Sequence, residues 1–188
     1  MTLVTASHPA TRPATRQDLL DRLDNLGIPV KTVDHEAVFT VAESSQLHRD
    51  ITGGHSKNLF LQDKKGRLFL IVALADTRVD LKSLQKRLKA DRWSFGKPEL
   101  LYDVLGVTPG SVTPFSLIND KAQRVTVILD ADMMAFERLN FHPLENTATT
   151  NIARDDLLRF IRACGHDPQI LKLAGEAPQD AGAGGPRS

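Results

Sequence analysis

The stretch Gly53-Gly54-His55-Ser56-Lys57-Asn58 places a cation and an amide at the start of an apolar segment, Leu59-Phe60-Leu61. Glycine allows the backbone to take conformations closed to other residues and to approach a ligand closely. Lys57 adds a fixed charge and Asn58 a neighbouring amide, so a small anionic or ester-bearing ligand suits this stretch. The alternative interpretation is an ordinary glycine-rich loop whose lysine is solvated.

A second stretch, Gly106 to Pro114, holds two glycines and two prolines in nine residues. Proline fixes φ and glycine permits the tight bends between, so the pattern predicts a rigid loop. Such a loop can turn consecutive N–H groups toward one point, which suits an ester oxygen that becomes negative as water attacks. The alternative interpretation is a plain connector between a helix and a strand.

Few other side chains in the sequence could take part in catalysis or bind a metal. His142 lies between Phe141 and Pro143, whereas His35 and His48 have no partner at metal spacing and are predicted to be hydrogen-bonding or surface histidines. Cys164 is the single cysteine, so we predict no internal disulfide and interpret its thiol as structural. We predict neither a metal site nor another cofactor.

Familiar enzyme signatures are absent from the sequence. It contains no Walker-type phosphate loop, no GxGxxG fingerprint, no GxSxG nucleophile turn and no HExxH metal motif. A lysine at the mouth of a strand, a rigid loop and one late histidine remain. Such a set suits a site that grips a small polar ligand without covalent chemistry.

Composition sets the outer limits. The 188 residues are 41% hydrophobic and 25% charged, typical of one globular domain, and the net charge of +1 argues against nonspecific coating of nucleic acid. No apolar run is long enough to cross a bilayer, and the N-terminus lacks the apolar core of a secretory signal. We therefore expect a cytoplasmic protein with no membrane partner.

Hydrophobic periodicity predicts a mixed α/β domain over residues 15–172, between a flexible lead (1–14) and a disordered tail (173–188). Helices are predicted over Thr15 to Gly27, Thr40 to Leu47, Asp80 to Leu88, Pro98 to Leu105 and Asp155 to Cys164. Strands are predicted over Val30 to His35, Asn58 to Gln62, Leu68 to Ala75, Arg124 to Leu129 and Thr147 to Ile152. The second and third strands form a β-hairpin through Asp63-Lys64-Lys65-Gly66, and the third is nearly continuous in apolar residues, as expected for a central strand.

Three segments in order resemble one known family: Gly53 to Leu61, Gly110-Ser111-Val112-Thr113-Pro114, and Phe141-His142-Pro143. They are similar to the free-standing relatives of the bacterial prolyl-tRNA synthetase editing domain, the YbaK/ProX group, over roughly Thr15 to Ile170. The Lys57-to-Leu61 segment and the His-Pro step most resemble the single-domain deacylases that clear alanine from tRNA for proline. The resemblance implies a central mixed β-sheet with surrounding helices, and hydrolysis of the ester on mischarged tRNA.

Such an activity has a physical rationale. Alanine is smaller than proline, so a synthetase pocket shaped for proline cannot exclude it, and a methyl-sized difference contributes only about 1–3 kcal/mol of discrimination. A second, smaller sieve is then needed. In this group the attacking water is thought to be positioned partly by the ribose hydroxyl of the substrate, which would explain the lack of a protein nucleophile or metal motif.

The resemblance also implies residue roles. Lys57 would anchor the terminal nucleotide of the tRNA, the backbone of Gly110 and its loop would hold the ester carbonyl, and His142 would form part of the wall that sizes the amino acid. Asn58 would support the same pocket. Further substrate-binding positions are expected in the loop and in the region after His35, namely Ser111, Pro114, Val38, Phe39, Ser45 and Leu47.

Several alternatives stay open. The substrate that the resemblance implies is the acceptor end of mischarged tRNA, most simply Ala-tRNA(Pro), with Cys-tRNA(Pro) as the nearest rival and serine or a nonprotein amino acid behind it. A noncatalytic module could use the same cleft to bind an amino acid, a nucleotide or a protein. Association with prolyl-tRNA synthetase is a further option, and we expect a monomer, with a dimer as the alternative. The basic residues are either a solvated face or phosphate contacts: Lys64, Lys65, Lys82, Lys86, Arg87, Lys89 and Arg92.

Overall fold

The computed structural model describes residues 12–37, 45–46 and 49–175. The helices are α1 (Arg16–Asn25), α2 (Leu81–Arg87), α3 (Pro98–Leu105) and α4 (Arg154–Ala163), with 3-10 helices at Pro114–Ile118 and Met133–Ala135. The strands are β1 (Val30–Asp34), β2 (Gly54–Asp63), β3 (Leu68–Leu74), β4 (Trp93–Phe95), β5 (Val125–Asp130), β6 (Arg138–Phe141), β7 (Ala148–Ala153) and β8 (Gln169–Leu171). Residues 45–46 and 49–50 are helical too, and the rest of the helix predicted there lies outside the described residues.

Helix ends follow the chain's local chemistry. Thr15 caps α1 through a capping box with Asp18, and Asp80 caps α2 by accepting a hydrogen bond from the Ser83 N–H at 3.0 Å. Pro98 occupies the first turn of α3, where its missing N–H costs nothing, and Gly106 ends that helix in the left-handed region. The helices predicted at these positions are confirmed.

The strands form one mixed sheet in the order β1-β7-β6-β2-β3-β5-β8, with β4 paired to β2 off this path. Neighbours β3, β5 and β8 run parallel, as do β2 and β6, whereas β1–β7, β6–β7, β2–β3 and β2–β4 are antiparallel. The predicted mixed α/β fold with a central mixed sheet is therefore confirmed.

The predicted hairpin is confirmed as well. Strands β2 and β3 pair from Ser56↔Leu74 to Gln62↔Leu68 around the predicted turn. Strand β3 is buried along nearly its whole length, as expected for a continuous apolar run inside a sheet covered on both faces.

The two faces of the sheet differ in size. On the first face, α1, α3, α4 and the first 3-10 helix cover a large core whose centre includes Phe115 and Phe160. On the second face, Leu84 of α2 packs against a smaller cluster from β2, β3 and β5, made of Leu61, Phe69, Ile71, Ala73 and Ile128 with Leu173. Strand β5 serves both, since Val125, Val127 and Leu129 face the large core and Ile128 the small one, as its alternation predicts.

Three strands escaped the sequence pattern. Strands β4 and β8 have three residues each and β6 has four, too few for a period of two to stand out. Because β8 follows β7, the strand predicted over Thr147 to Ile152 is not the last strand of the chain, and the prediction that no strand follows it is wrong. The ordered chain also passes the predicted boundary at residue 172, because Leu173 is buried and Ala174 bridges to Val79.

Within the described ranges, every helix is too short or too polar to cross a membrane.

Candidate active site

The sheet opens beside the middle of β2. One edge of β2 pairs with β3 along most of its length. The other edge pairs with β6 only at Gly54 and His55, and with β4 only from Leu61 to Asp63. Between these pairings, residues 56–60 have no strand beside them on that edge within the described part of the chain. We call this gap the sheet opening.

Gly53 shows why the glycine pair precedes this strand. Its φ is +105°, and a Cβ placed there would lie 2.8 Å from the backbone oxygen of Arg138. The sequence suggested close approach to a ligand, but the structure shows close approach to another strand. A glycine is required at this position because any side chain would collide with the backbone of β6 where the chain enters β2.

Lys57 and His142 belong to the second face of the sheet, at the opening. Successive residues of a strand point to opposite faces, and Phe60 lies in the large core, so Lys57 faces the other way. The pairs Gly54↔Leu139 and His55↔Asn140 set the register of β2 with β6. Continuing that register by two residues brings Lys57 opposite His142, just where the strands separate.

The ammonium group of Lys57 has no counter-ion within residues 12–37, 45–46 and 49–175. Its side chain is half-buried, yet none of the described residues pairs with it in an ion pair or a hydrogen bond. A partly desolvated charge usually carries a partner, because leaving it unpaired costs free energy. The position is therefore suited to an anionic group of a ligand.

His142 is held as a neutral ring. Its Nδ1 lies 2.9 Å from the Ala148 carbonyl oxygen, which can only accept, so Nδ1 carries the proton and Nε2 stays an acceptor. Burial away from water lowers the pKa of His142 below its ordinary 6.5, and the charge of nearby His35 lowers it further, while the Ala148 carbonyl opposes both.

His35 is the neighbour of His142 that the sequence did not assign to the site. Their ring centroids lie 6.2 Å apart. His35 is fixed by the Glu36 carbonyl oxygen, 2.7 Å from Nδ1, and by Thr149 Oγ1, 2.8 Å from Nε2. Its predicted hydrogen-bonding character is confirmed, but its place beside His142 follows from the β1–β7 pairing, which no local pattern reveals.

An asparagine network closes the opening at the β6 end. The Asn140 amide donates to the Thr52 carbonyl at 3.0 Å, and the Asn151 amide donates to Asn140 Oδ1 at 2.8 Å. Asn140 and Asn151 are paired across β6 and β7. These bonds hold the end of β6, and with it the segment that leads into His142.

The Gly110 loop is fixed at both ends. It begins where Leu105 is buried in the large core and ends where Phe115 packs edge-on against Phe141 at 5.8 Å and Phe160 at 5.5 Å. Phe141 directly precedes His142, so this contact ties the loop to the histidine. The predicted rigid loop is therefore also a neighbour of the candidate site.

Gly110 itself lies exposed at a turn, with φ +91°. A Cβ built there would come no closer than 3.8 Å to a neighbour, the amide of Asn146. The turn is closed by the Ser111 N–H donating to the Thr108 carbonyl at 3.0 Å, and the Gly110 N–H meets no acceptor among the described residues. This N–H is thus available to a ligand beside the segment that carries His142.

Asn58 approaches from the opposite face of the sheet. Its alternation with Lys57 puts it on the side of the large core, which also carries α3 and the Gly110 loop. Its Nδ2 lies 3.4 Å from Ser56 Oγ, while its Oδ1 is buried without a hydrogen-bond partner. A buried oxygen without a partner costs about 1–3 kcal/mol, so this one is a candidate ligand contact.

The other predicted positions divide into two groups. Ser111 and Pro114 are buried, Ser111 in the turn and Pro114 as the first residue of the 3-10 helix, so both shape the loop backbone. Ser45 is exposed. The remaining wall candidates, Val38, Phe39 and Leu47, lie outside the described residues, and so does His48.

Two chemical properties of the described residues limit the mechanism. No three histidine, cysteine, aspartate or glutamate side chains among them come together in a way that could hold a metal ion. Burial raises the pKa of the Cys164 thiol to about 11, so at neutral pH it is a thiol and not a nucleophilic thiolate. The candidate groups are therefore a positive charge and a neutral imidazole acceptor at the opening on the second face, and a backbone donor in the loop on the first face.

Comparison with known proteins identifies the family of the chain. Residues 35–160 match the family described as the aminoacyl-tRNA editing domain. The prolyl-tRNA editing protein ProX of Acetoanaerobium sticklandii is 32% identical over 159 residues, which are 84% of this chain and 97% of that protein. Prolyl-tRNA synthetase associated domain-containing protein 1 of Mus musculus is 37% identical over 163 residues, 84% of this chain and 96% of its own.

The fold has solved relatives as well. A crystal structure described as a candidate trans-editing enzyme for prolyl tRNA synthetase covers 86% of this chain and 97% of its own, with a TM-score of 0.68 and 19% identity. At that identity the likeness concerns the fold alone. The family match spans residues 35–160, and the alignment with ProX covers 84% of the chain. The chain therefore belongs to the aminoacyl-tRNA editing domain family.

Proposed function

We propose that the protein hydrolyses the ester that joins a wrong amino acid to the terminal adenosine of tRNA(Pro), and that this amino acid is alanine. Family membership supports an aminoacyl-tRNA ester as the substrate. Relatives named for prolyl-tRNA editing support tRNA(Pro) as the carrier. The preference for alanine is an inference from the resemblance of the Lys57-to-Leu61 segment and the His-Pro step to alanine-specific deacylases.

The observation that carries this proposal is the half-buried, unpaired ammonium of Lys57 opposite His142 at the sheet opening. In the proposed complex, Lys57 binds the phosphate or sugar of the terminal nucleotide. Hydrogen bonds that involve an ionised partner are about twice as strong as neutral ones. The lysine therefore fixes where the ester lies without taking part in bond breaking.

The Gly110 loop supplies the electrostatic part of catalysis. When water adds to the ester carbonyl carbon, negative charge develops on the carbonyl oxygen, and a fixed N–H aimed at it lowers the barrier. The C–O bond to the ribose then breaks, the amino acid leaves with a carboxyl group, and the ribose oxygen takes a proton. The exposed, unbonded N–H of Gly110 is the donor that we assign to this oxygen.

His142 sets the size of the amino-acid subsite. As a neutral ring held by Ala148 it forms a rigid wall, and its Nε2 accepts a hydrogen bond from water or from the substrate's ammonium group. Alanine fits a subsite that proline would overfill. The ribose hydroxyl of the substrate positions the attacking water, so no protein nucleophile is required.

A panel of charged tRNAs tests the proposal directly. Purified protein is mixed with Ala-, Cys-, Ser- and Pro-tRNA(Pro), and release of each amino acid is followed over time against the spontaneous rate. We expect fast release of alanine and none of proline. Faster release of cysteine or serine would reassign the substrate, and release of none would overturn the proposed activity.

A noncatalytic module is the alternative in a different class. Binding of the same charged tRNAs, measured in parallel, separates the two: tight binding without amino-acid release would identify a binding module.

Cytoplasmic location follows from the proposed activity, because tRNA is charged there, and fractionation of cells checks it. Association with prolyl-tRNA synthetase is a further prediction, which copurification of the two proteins would test.

A further inference from the structure

We propose that Phe95 of β4 is a stacking platform for a base of the unpaired 3′ end of tRNA, next to the terminal nucleotide. This inference rests on the proposed function, since it extends the path of the RNA away from Lys57. It adds a subsite on a strand that the sequence motifs do not include.

Phe95 is far more exposed than the fold requires. Its side chain is 67% exposed, although β4 pairs with an interior strand. Trp93, two residues earlier, already packs on Phe69 with ring centroids 5.2 Å apart and so anchors β4 to the small core. Nothing in the packing of the described residues explains a second large aromatic side chain on this short strand.

The pairing of β4 fixes the direction in which Phe95 points. Phe95 lies opposite Leu61, which belongs to the small core on the second face of the sheet. Paired residues of neighbouring strands project to the same face, so Phe95 shares this face with Lys57. The half-buried Leu59 lies between them on β2, and the three side chains form one strip.

From the opening, the RNA can follow β2 in one direction only, toward β4. At the β6 end the strands are paired and the asparagine network is in place. Toward β4 no described residue pairs with the edge of β2 until Phe60, whose carbonyl accepts a hydrogen bond from the Gly96 N–H. Four residues separate Lys57 from the position opposite Phe95, about 13 Å at the rise of a strand, so Phe95 lies where a nucleotide that precedes the terminal one would pass.

Charges around Phe95 suit a phosphate backbone. Arg92 and Lys97 are exposed and have no ion-pair partner among the described residues. The neighbouring carboxylates of Asp63 and Asp91 are already neutralised by Arg67 at 2.8 Å and Lys65 at 3.3 Å. An exposed ring flanked by free cations is the arrangement that binds single-stranded nucleic acid, with bases on the ring and phosphates on the cations. A protein-binding site is more often marked by a contiguous apolar patch of a few hundred Å² than by one exposed ring.

A substrate series that differs only in RNA length tests the platform. The alanyl ester of adenosine alone lacks the base that would stack on Phe95, whereas the alanyl ester of full-length tRNA(Pro) carries it. For Phe95→Ala we expect kcat/KM to fall about tenfold on the tRNA, the size of one base stack, and to stay unchanged on the adenosine ester. Phe95→Trp should retain the wild-type value.

Tyr102→Ala is the matched control, since Tyr102 is 53% exposed on α3, which packs on the opposite face. It should leave both substrates unaffected. An equal loss on both substrates, or no loss on either, would overturn the platform while leaving the proposed hydrolysis intact.

Binding separates failure of the platform from failure of the proposed function. An uncharged, fluorescently labelled RNA oligonucleotide that ends in CCA is titrated with wild type and with Phe95→Ala. Weaker binding by the variant supports the platform even if the wild type releases no amino acid. Equal binding would overturn it in that case as well.

Discussion

The two halves of the second sheet face differ in what the same strands present there. Under α2, β2 contributes Leu61 to an apolar cluster closed by Leu84. Farther along the same face, β2 contributes Lys57, and the neighbouring strand leads into His142. One half excludes water and stabilises the fold, while the other retains unpaired polar groups. The site therefore lies where the apolar cover of a continuous sheet ends.

The difference between the two halves arises along one line of side chains on β2. Side chains two residues apart share a face, so Lys57, Leu59 and Leu61 follow one another in a line. Leu59 is half-buried and marks the transition from one half to the other. Stability and binding can be separated along this line by substitution, and the following predictions use that property.

The largest effect is expected in the apolar half. Leu84 is 1% exposed, and Leu84→Ala should lower the free energy of unfolding by about 3 kcal/mol through lost contacts and a residual cavity. Urea unfolding measures this. The deacylation rate per folded molecule should stay at the wild-type value. If that rate falls as far as the stability does, the two halves are not separable.

Lys57→Ala should give the converse result in the polar half. Loss of a charged contact to the terminal nucleotide, worth about 2 kcal/mol, lowers kcat/KM about 30-fold. The stability of this variant should match the wild type, because none of the residues that the structure describes pairs with the ammonium. Lys121→Ala, at an exposed lysine elsewhere, is the control. Unchanged deacylation by the Lys57 variant would refute the proposed role.

Asn58→Ala sharpens the comparison at the buried oxygen. The variant loses the long Nδ2 contact to Ser56 and also an Oδ1 atom that has no partner among the described residues, so stability should change little while a contact to the substrate is removed. We expect kcat/KM to fall about fivefold, as for one neutral hydrogen bond. Clear destabilisation instead would show that Asn58 has a structural role. Thermal unfolding and deacylation assays on one preparation decide between these results.

The smallest effect concerns pH. The pKa of His142 is lower in the folded protein than the 6.5 of the free group. Between these two values the unfolded chain binds more protons, so acidification through this window lowers stability and raising the pH restores it. The loss between pH 7 and 5 should be smaller for His142→Gln than for wild type. Equal losses in urea unfolding would contradict the burial of a neutral ring.

Much of the fold follows from local pattern. Helix α3 begins at Pro98 and ends before Gly106, and β2 and β3 surround a turn with the composition of a hairpin. In these segments, the helix caps, the turn residues and the spacing of apolar residues all agree with the packing in the structure. The short strands β4, β6 and β8 lack such signals, because their pairing partners, and not their own residues, make them strands.

The site is less accessible to sequence reasoning for the same reason. Glycine, lysine and histidine motifs singled out Lys57, Gly110 and His142, yet only the β2–β6 register relates the first to the last. Alternation alone could have placed Asn58 and Lys57 on opposite faces. No local pattern assigned His35, Asn140 or Asn151 to the site, since their places there depend on hydrogen bonds between strands distant in sequence.

The pairing of β2 with β6 has a consequence during synthesis of the chain on the ribosome. A ribosome releases the amino-terminal half first, and the β2–β3 hairpin can form from local contacts while β6 and β7 are still unmade. Lys57 then has no His142 to face. The proposed site can therefore assemble only once translation has passed the segment that completes the sheet.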